Sequence, residues 1–109
     1  MSIFTIELAP EAVRDLENLY EYVAATRSHA EATALLDRFA RRIDALEQFP
    51  ERGSIPPEMA DLGVTDFRQL LMAPYRLVYR VAKREVSILL IADGRRDMKE
   101  LLGRRLIGD

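Results

Sequence analysis

The 109-residue chain is long enough for one hydrophobic core, so we expect a single domain spanning residues 1–109. Hydrophobic residues make up 49% of the chain and charged residues 31%, a mixture that argues against intrinsic disorder. The chain has no cysteine, which excludes a disulfide framework, a thiol nucleophile and a thiolate metal site.

Two further features of the composition bear on location. No apolar run approaches the roughly 20 residues that a membrane-spanning helix needs, so no membrane partner is expected. The N-terminal segment shows neither a basic leader nor a long apolar stretch. We therefore expect a cytoplasmic protein.

The charge is distributed unevenly along the chain. Residues 1–60 carry 6 Arg and 11 Asp or Glu, whereas residues 61–109 carry 10 Lys or Arg and 7 Asp or Glu. Only Lys83 and Lys99 among the 16 basic residues are lysines. Because the arginine guanidinium is a planar fork suited to carboxylate or phosphate, this bias predicts specific contacts in the second half.

The first half of the chain predicts one strand and two helices. Residues 3–8 alternate loosely and predict a short strand. Pro10 suits a first helical position, and apolar residues follow at helical spacing, so a helix is expected over residues 10–25. Ser28 with Glu31 three residues later predicts a second helix start. That helix is expected to end near Phe49, with the apolar stripe Leu35, Leu36, Phe39, Ile43, Leu46 and Phe49.

The second half predicts a loop, three strands and a short helix. Residues 50–63 hold three prolines and two glycines, which indicates a loop and no second domain. Residues 67–72 read as a strand, residues 75–81 alternate, and residues 86–92 form an apolar run typical of a central strand. The tail spaces its apolar residues as a short helix: Met98, Leu101, Leu102 and Leu106.

The order β-α-α-β-β-β, followed by a short C-terminal helix, predicts an α+β fold. Two amphipathic helices joined by so short a turn should form an antiparallel αα-hairpin. We expect this hairpin to pack on one face of a small, mostly antiparallel sheet.

Several kinds of chemistry lack support in the sequence. No dinucleotide-binding, P-loop or serine-hydrolase motif occurs, and we expect neither cofactor nor metal. His29 is the only histidine, and we expect it to be an ordinary surface residue. The helix carboxylates are interpreted as a solvated outer face: Asp15, Glu17, Glu21, Asp44 and Glu47.

The basic residues of the second half form the candidate site. If the strands over residues 75–81 and 86–92 pair around the turn at Lys83, then Arg76 should approach Arg95 and Arg96. These side chains either pair with Asp93, Asp97 and the helix carboxylates, or bind an anionic partner. The residues considered are Arg68, Arg76, Arg80, Arg95, Arg96, Lys99, Arg104 and Arg105.

A binding patch of this kind could serve a ribonuclease, a nucleic-acid binder or a receptor for an acidic protein segment. A ribonuclease needs a proton acceptor, and we expect neither a histidine nor a tyrosine near the basic corner. Leucines 101 and 102 occupy the tail where such a residue would help. This weakens the enzymatic interpretation.

The chain resembles the RelE/ParE superfamily of type II toxins. The resemblance is carried by residues 75–81 (YRLVYRV), the apolar strand 86–92, residues 93–97 (DGRRD) and residues 49–53 (FPERG) that close the helical hairpin. The RelE branch comprises ribosome-dependent mRNA endoribonucleases, in which arginines matching Arg76 and Arg96 contribute to cleavage. That branch also uses lysines on the preceding strand and a tyrosine in the tail. This chain departs from it, because Gln69 and Leu71 stand on the preceding strand and Leu102 stands about where the tyrosine would be.

The resemblance is closer to the ParE branch, which implies a poison of DNA gyrase rather than an enzyme. It also implies a cognate antitoxin that wraps an amphipathic segment over the toxin. The toxin would then join a complex with operator DNA only through this antitoxin. Nucleic acid is thus expected only indirectly. The target or partner is expected to bind Arg68, Arg76, Arg80, Arg95, Arg96 and Lys99. The alternatives are a RelE-like ribonuclease using Arg76 and Arg96, and a non-toxic binding module.

Overall fold

The computed structural model describes residues 4–107. Its elements, in chain order, are β1 (Thr5–Leu8), α1 (Pro10–Thr26), α2 (His29–Asp44), a 3-10 turn (Ala45–Glu47), α3 (Pro57–Ala60), β2 (Phe67–Met72), β3 (Tyr75–Ala82), β4 (Glu85–Asp93), α4 (Met98–Leu102) and a π-helical turn (Gly103–Ile107).

The four strands form one sheet in the order β1-β4-β3-β2. The β2–β3 and β3–β4 pairs are antiparallel, and β1 pairs with β4 in parallel. Strand β4 is therefore central, as its continuous apolar run indicates. The α+β fold with a mostly antiparallel sheet is confirmed.

The helical hairpin α1–α2 covers one face of the sheet. The Glu31 N–H donates to the Ser28 Oγ at 3.0 Å, so the helix start read from the sequence is confirmed. Between this hairpin and the sheet lies the larger core, in which Phe39 and Tyr79 are buried. Phe39 also packs its ring 5.9 Å from that of Tyr75, centroid to centroid.

The opposite face of the sheet is covered as well, a possibility that the apolar run of residues 86–92 left open. Helices α3 and α4 contribute Met59 and Met98 to a second core cluster. On the sheet side this cluster contains Val78, Leu90 and Ala92. Strands β3 and β4 are consequently buried on both faces, and the second cover positions the residues that follow β4.

The structure differs from the sequence expectation at the end of the second helix and in the loop that follows it, while the strand ends and the end of α1 shift by a residue or two. Helix α2 ends at Asp44 and tightens into the 3-10 turn, whose Glu47 carbonyl accepts the Phe4 N–H at 3.3 Å. Phe49 is 59% exposed and so does not belong to the buried stripe. The loop 50–63 contains α3, because Met59 is buried against the sheet. Residue 3, placed in the first strand from sequence, lies outside the described residues.

A β-bulge interrupts the β3–β4 ladder. Val78 pairs with Leu90, whereas Tyr79 pairs with Ile88, so Leu89 has no partner on β3. The bulge moves the later residues of β4 by one position relative to β3. As a result Tyr75 pairs with Asp93 and Arg76 with Ala92.

Candidate functional site

The candidate site is the corner where β4 ends and the chain turns toward α4. The Gly94 N–H donates to the Pro74 carbonyl at 2.7 Å, which ties this corner to the start of β3. The side chain of Arg76 passes directly beneath: a Cβ added at Gly94 would lie 2.9 Å from the Arg76 Cδ. The expected approach of Arg76 to the residues after β4 is therefore observed for its aliphatic stem.

The guanidinium of Arg76 turns away from the corner into a polar cluster. It donates to both carboxylate oxygens of Glu58, at 2.8 and 2.7 Å, and its Nε donates to the Gln69 Oε1 at 2.8 Å. The Arg76 side chain is only 12% exposed. The hydrogen bonds from Arg76 hold the pKa of Glu58 below its ordinary value. Arg76 thus ties α3 to the sheet.

Arg95 is held at the corner by Asp93. Its Nε and Nη2 donate to the two carboxylate oxygens of Asp93 at 2.9 and 2.6 Å, and its backbone N–H adds a third bond at 2.9 Å. Hydrogen bonding to Arg95 lowers the pKa of Asp93 to about 2. The Arg95 side chain remains 78% exposed. It is oriented, yet available to a partner.

Arg96 and Lys99 complete the exposed part of the corner. Both side chains are exposed, and neither forms an ion pair with any residue between 4 and 107. The Arg96 N–H donates to the Asp93 carbonyl at 3.1 Å, and the Asp97 carboxylate caps α4 through the Glu100 N–H at 3.1 Å. We call the surface formed by Arg95, Arg96 and Lys99 the basic corner.

Arg68 and Arg80 lie away from the basic corner. On β3, Arg80 is paired with Ser87 near the Lys83 turn, at the opposite end of the ladder. Its guanidinium stands 6.0 Å from the centroid of the Phe67 ring. Arg68 donates to the carbonyls of Glu51 and Gly53 at 3.2 and 2.7 Å. Of the six candidate residues, only Arg95, Arg96 and Lys99 therefore share the basic corner.

The interpretation of Asp15 as a solvated surface carboxylate is wrong. Asp15 accepts from Arg105 at 3.3 and 3.0 Å and from the backbone N–H of Ile91 at 3.0 Å. The two side chains are only 18% and 16% exposed. Helical periodicity placed Asp15 off the apolar stripe, but the sheet edge beside it offers polar partners. The other helix carboxylates are exposed: Glu17, Glu21, Asp44 and Glu47.

The expectation that no tyrosine stands near the corner is also wrong. Tyr75 pairs with Asp93 across the ladder. Tyr22, 66% exposed on α1, and Tyr75 both contribute to raising the pKa of Arg95, although Asp93 is the main cause. Without a bulge, counting back from the Lys83 turn would have placed Tyr75 opposite Ala92. Glu58 was missed entirely, since nothing local in the loop signals its distant partner.

Between residues 4 and 107, no three His, Cys, Asp or Glu side chains are grouped so that they could bind a metal ion. The helices described there also lack the length and apolar character for crossing a membrane. His29 is exposed and lies 3.5 Å from the Tyr20 hydroxyl.

Comparison with known proteins identifies the family. The model of the ParE toxin of the type II toxin–antitoxin system parDE matches residues 6–98. The chain belongs to the ParE toxin family. The match spans both helices of the hairpin, nearly all of the sheet, and Arg95 and Arg96 of the basic corner, and it ends one residue before Lys99.

A solved structure has the same fold as this ParE family member. A chain described as "Chromosomal ParDE TA system from P. aeruginosa" superposes with a TM-score of 0.70 at 20% sequence identity. The alignment covers 84% of the present chain and 96% of that chain. No curated protein sequence matches significantly.

Proposed function

We propose that this ParE family member inhibits DNA gyrase by binding it through the basic corner, and that a cognate antitoxin neutralises it. Family membership supports the role of toxin. The resemblance of the Gly94–Asp97 turn and the leucine-containing helix after it to ParE-type proteins supports gyrase as the target. On this proposal the protein acts by binding and makes or breaks no covalent bond itself.

The single observation that carries the proposal is that the cationic side chains of the basic corner are exposed. Arg95 is oriented by three hydrogen bonds to Asp93, while Arg96 and Lys99 are exposed without ion-pair partners in residues 4–107. Because Asp93 already holds Arg95, this side chain loses less conformational entropy when it binds an acidic protein surface. Arginine is also among the residues that most often dominate interface energies.

The arrangement of Arg76 favours binding over ribonuclease chemistry. A ribonuclease that used Arg76 and Arg96 would direct both guanidiniums at one phosphoryl group. Here Arg76 donates to Glu58 and Gln69 instead. A phosphate would have to displace the Glu58 carboxylate from a largely buried, bidentate pair before Arg76 could contribute.

The cognate antitoxin is proposed as an amphipathic segment with acidic groups. The second half of the chain has an excess of basic residues, and complementary charge favours association and selects the partner. Such segments often fold only on binding. The antitoxin is proposed to neutralise the toxin, and its binding can be tested separately from the binding of gyrase.

The test is a supercoiling assay with purified gyrase and the full-length protein. We expect the wild type to inhibit supercoiling and accumulate cleaved DNA complexes, and Arg96→Ala to lose most of this effect. Arg27→Ala is the matched control, because Arg27 is an exposed arginine whose pair with Glu31 spans 3.5 Å on the hairpin surface. It should inhibit like the wild type.

Each alternative function has its own test. Unimpaired supercoiling at excess protein would refute gyrase inhibition. Cleavage of message on programmed ribosomes would establish the ribonuclease instead. Absence of growth arrest on induction without antitoxin would leave a non-toxic binding module.

A further inference from the structure

Helix α1 runs alongside β4 in the same direction and extends past its end. Ala9, which precedes the helix, donates its N–H to the Ile88 carbonyl at 2.9 Å, and Asp15 accepts the Ile91 N–H at 3.0 Å. Strand β4 ends two residues after Ile91, whereas α1 continues to Thr26. The last turns of α1 therefore lie beyond the sheet, beside the turn that leads from β4 to α4.

Tyr22 lies on the side of this extension that faces the basic corner. It follows Asp15 by seven residues, about two helical turns, so the two side chains share one face of α1 and Tyr22 lies about 10 Å further along the axis. The electrostatics agree with this placement. The pKa of Arg95 is raised mainly by Asp93 and, more weakly, by the phenols of Tyr75 and Tyr22. The Tyr22 ring is therefore a neighbour of Arg95.

Contacts within the protein do not account for the Tyr22 side chain. Tyr22 is 66% exposed, and neither of the aromatic ring pairs found in residues 4–107 includes it. Its backbone carbonyl accepts the Thr26 hydroxyl at 2.7 Å, but its own hydroxyl forms no hydrogen bond within those residues. A single exposed aromatic residue is common on protein surfaces. Its position beside an oriented, exposed arginine is what distinguishes this one.

Tyr22 and Arg95 together offer an apolar ring next to a cation. Asp93 occupies the Nε and Nη2 donors of Arg95, which leaves its Nη1 group and the guanidinium plane available to a partner. Tyrosine and arginine are the residue types that, with tryptophan, most often dominate interface energies. Glu21, exposed next to Tyr22, disfavours a polyanion such as nucleic acid. A protein surface with a local acidic group fits this site better.

We propose that Tyr22 is a contact residue for the target protein and extends the binding surface of the basic corner onto α1. The target presents a large apolar side chain to the Tyr22 ring and, beside it, a carboxylate to Arg95. This inference rests on the proposed function, since the target is taken to be gyrase. It assigns part of the specificity to the acidic first half of the chain, outside the arginine-rich half.

The test measures the affinity of full-length variants for purified gyrase, together with inhibition of supercoiling. Tyr22→Ala should bind gyrase about tenfold to thirtyfold more weakly, whereas Tyr22→Phe keeps the ring and should stay within about threefold of the wild type. Phe49→Ala is the matched control, because Phe49 is a 59% exposed aromatic residue beside Phe4, near the Lys83 turn at the other end of the sheet. It should bind like the wild type.

The double variant Tyr22→Ala/Arg95→Ala tests whether the two side chains meet one feature of the target. Its loss of affinity should be smaller than the product of the two single losses, because neighbouring contacts are not independent. Alanine is the better helix former, so Tyr22→Ala should keep its melting temperature within about 2 °C. This check separates lost contact from lost folding.

The possible failures are distinguishable. A wild-type protein that does not bind gyrase refutes the proposed function and this inference with it. If the wild type binds and Tyr22→Ala binds equally well, or Phe49→Ala loses as much, only the role of Tyr22 is overturned. Losses that multiply in the double variant overturn the shared contact. Weaker binding to a DNA oligonucleotide, with gyrase binding unchanged, would assign Tyr22 to nucleic acid instead.

Discussion

Asp15 and Arg105, 90 residues apart in the chain, form a largely buried ion pair that closes the edge of β4 where β1 ends. Asp15 accepts the Ile91 N–H at 3.0 Å, and Arg105 donates to the Leu89 carbonyl at 2.9 Å. Leu89 is the bulged residue, and β1 pairs with β4 only as far as Ile88, so no strand covers these groups on the β1 side of the sheet. The pair thus satisfies polar groups that would otherwise be left open at a sheet edge.

Loss of Arg105 should destabilise the protein. Arg105→Ala leaves the Asp15 carboxylate and the Leu89 carbonyl without this partner, and we expect a cost of about 2 kcal/mol in the free energy of unfolding. Arg104→Ala is the control, because its pair with Glu100 is 55% and 61% exposed and should contribute about 0.5 kcal/mol or less. Denaturant unfolding of both variants measures the difference; equal costs would contradict the assigned role.

The Glu58–Arg76 pair should make stability depend on pH. The lowered pKa of Glu58 means that the folded protein binds this proton less tightly than the unfolded chain does. Its contribution is complete above the ordinary value of 4.5 and is lost as the pH falls through the lower folded pKa. We expect the melting temperatures of the wild type and Glu58→Gln to differ at neutral pH and converge in acid. A pH-independent difference would refute this.

The titration of Asp93 should report its contact with Arg95. Because the folded pKa is about 2 against an ordinary 3.8, any stability from this contact is present above 3.8 and lost as the pH falls through about 2. In Arg95→Ala the pKa of Asp93 should return toward 3.8. NMR titration of the carboxyl carbon checks both values, and an unchanged pKa in the variant would exclude Arg95 as the main cause.

The space around two glycines predicts opposite effects of alanine. A Cβ at Gly53 would overlap the Gln69 carbonyl oxygen and lie 2.8 Å from the Tyr79 hydroxyl, so Gly53→Ala should cost about 1–3 kcal/mol. At Gly103 no atom lies within 4 Å and φ is −59°, so Gly103→Ala should be neutral or stabilise by up to about 1 kcal/mol. Thermal unfolding of the two variants distinguishes these outcomes.

Arg96 and Arg76 should separate toxicity from stability. Arg96→Ala removes an exposed side chain without an ion-pair partner in residues 4–107, so we expect growth arrest to weaken while the melting temperature stays within about 2 °C. Arg76→Ala leaves the Glu58 carboxylate without its ion-pair partner and should lower the melting temperature as well as toxicity. Induction in cells and calorimetry measure both quantities. A large loss of stability in Arg96→Ala would remove it from the proposed binding surface.

Much of the fold could be predicted because it rests on local periodicity and turn chemistry. Ser28 with Glu31, and Pro10 at a helix start, locate the two helices of the hairpin. The alternation of residues 75–81 distinguishes the helical face of β3, with Tyr79, from the face of Val78. The bulge at Leu89 escaped prediction, since an apolar run does not show which residue lacks a partner.

The candidate site was less accessible from sequence. Pairing of β3 with β4 around the Lys83 turn predicted that Arg76 lies near the corner after β4, and the structure places its aliphatic stem beside Gly94, but the pairing did not predict which guanidiniums remain exposed. Arg76 is neutralised by Glu58 from a loop that contains no helical periodicity, whereas Arg96 stays exposed. Pairing of this kind depends on long-range packing, here the burial of Met59, which brings α3 over the sheet.

The sequence by itself determined the α+β architecture, the helical hairpin and the placement of a basic turn after the central strand. Those properties follow from apolar spacing and from residues that begin or end helices. Only the tertiary structure decided that Asp15 and Arg76 are bound internally and that the basic corner is exposed. The physical reason is that an ion pair requires two side chains to meet within about 4 Å, and their separation is set by sheet register and by packing between segments distant in the chain.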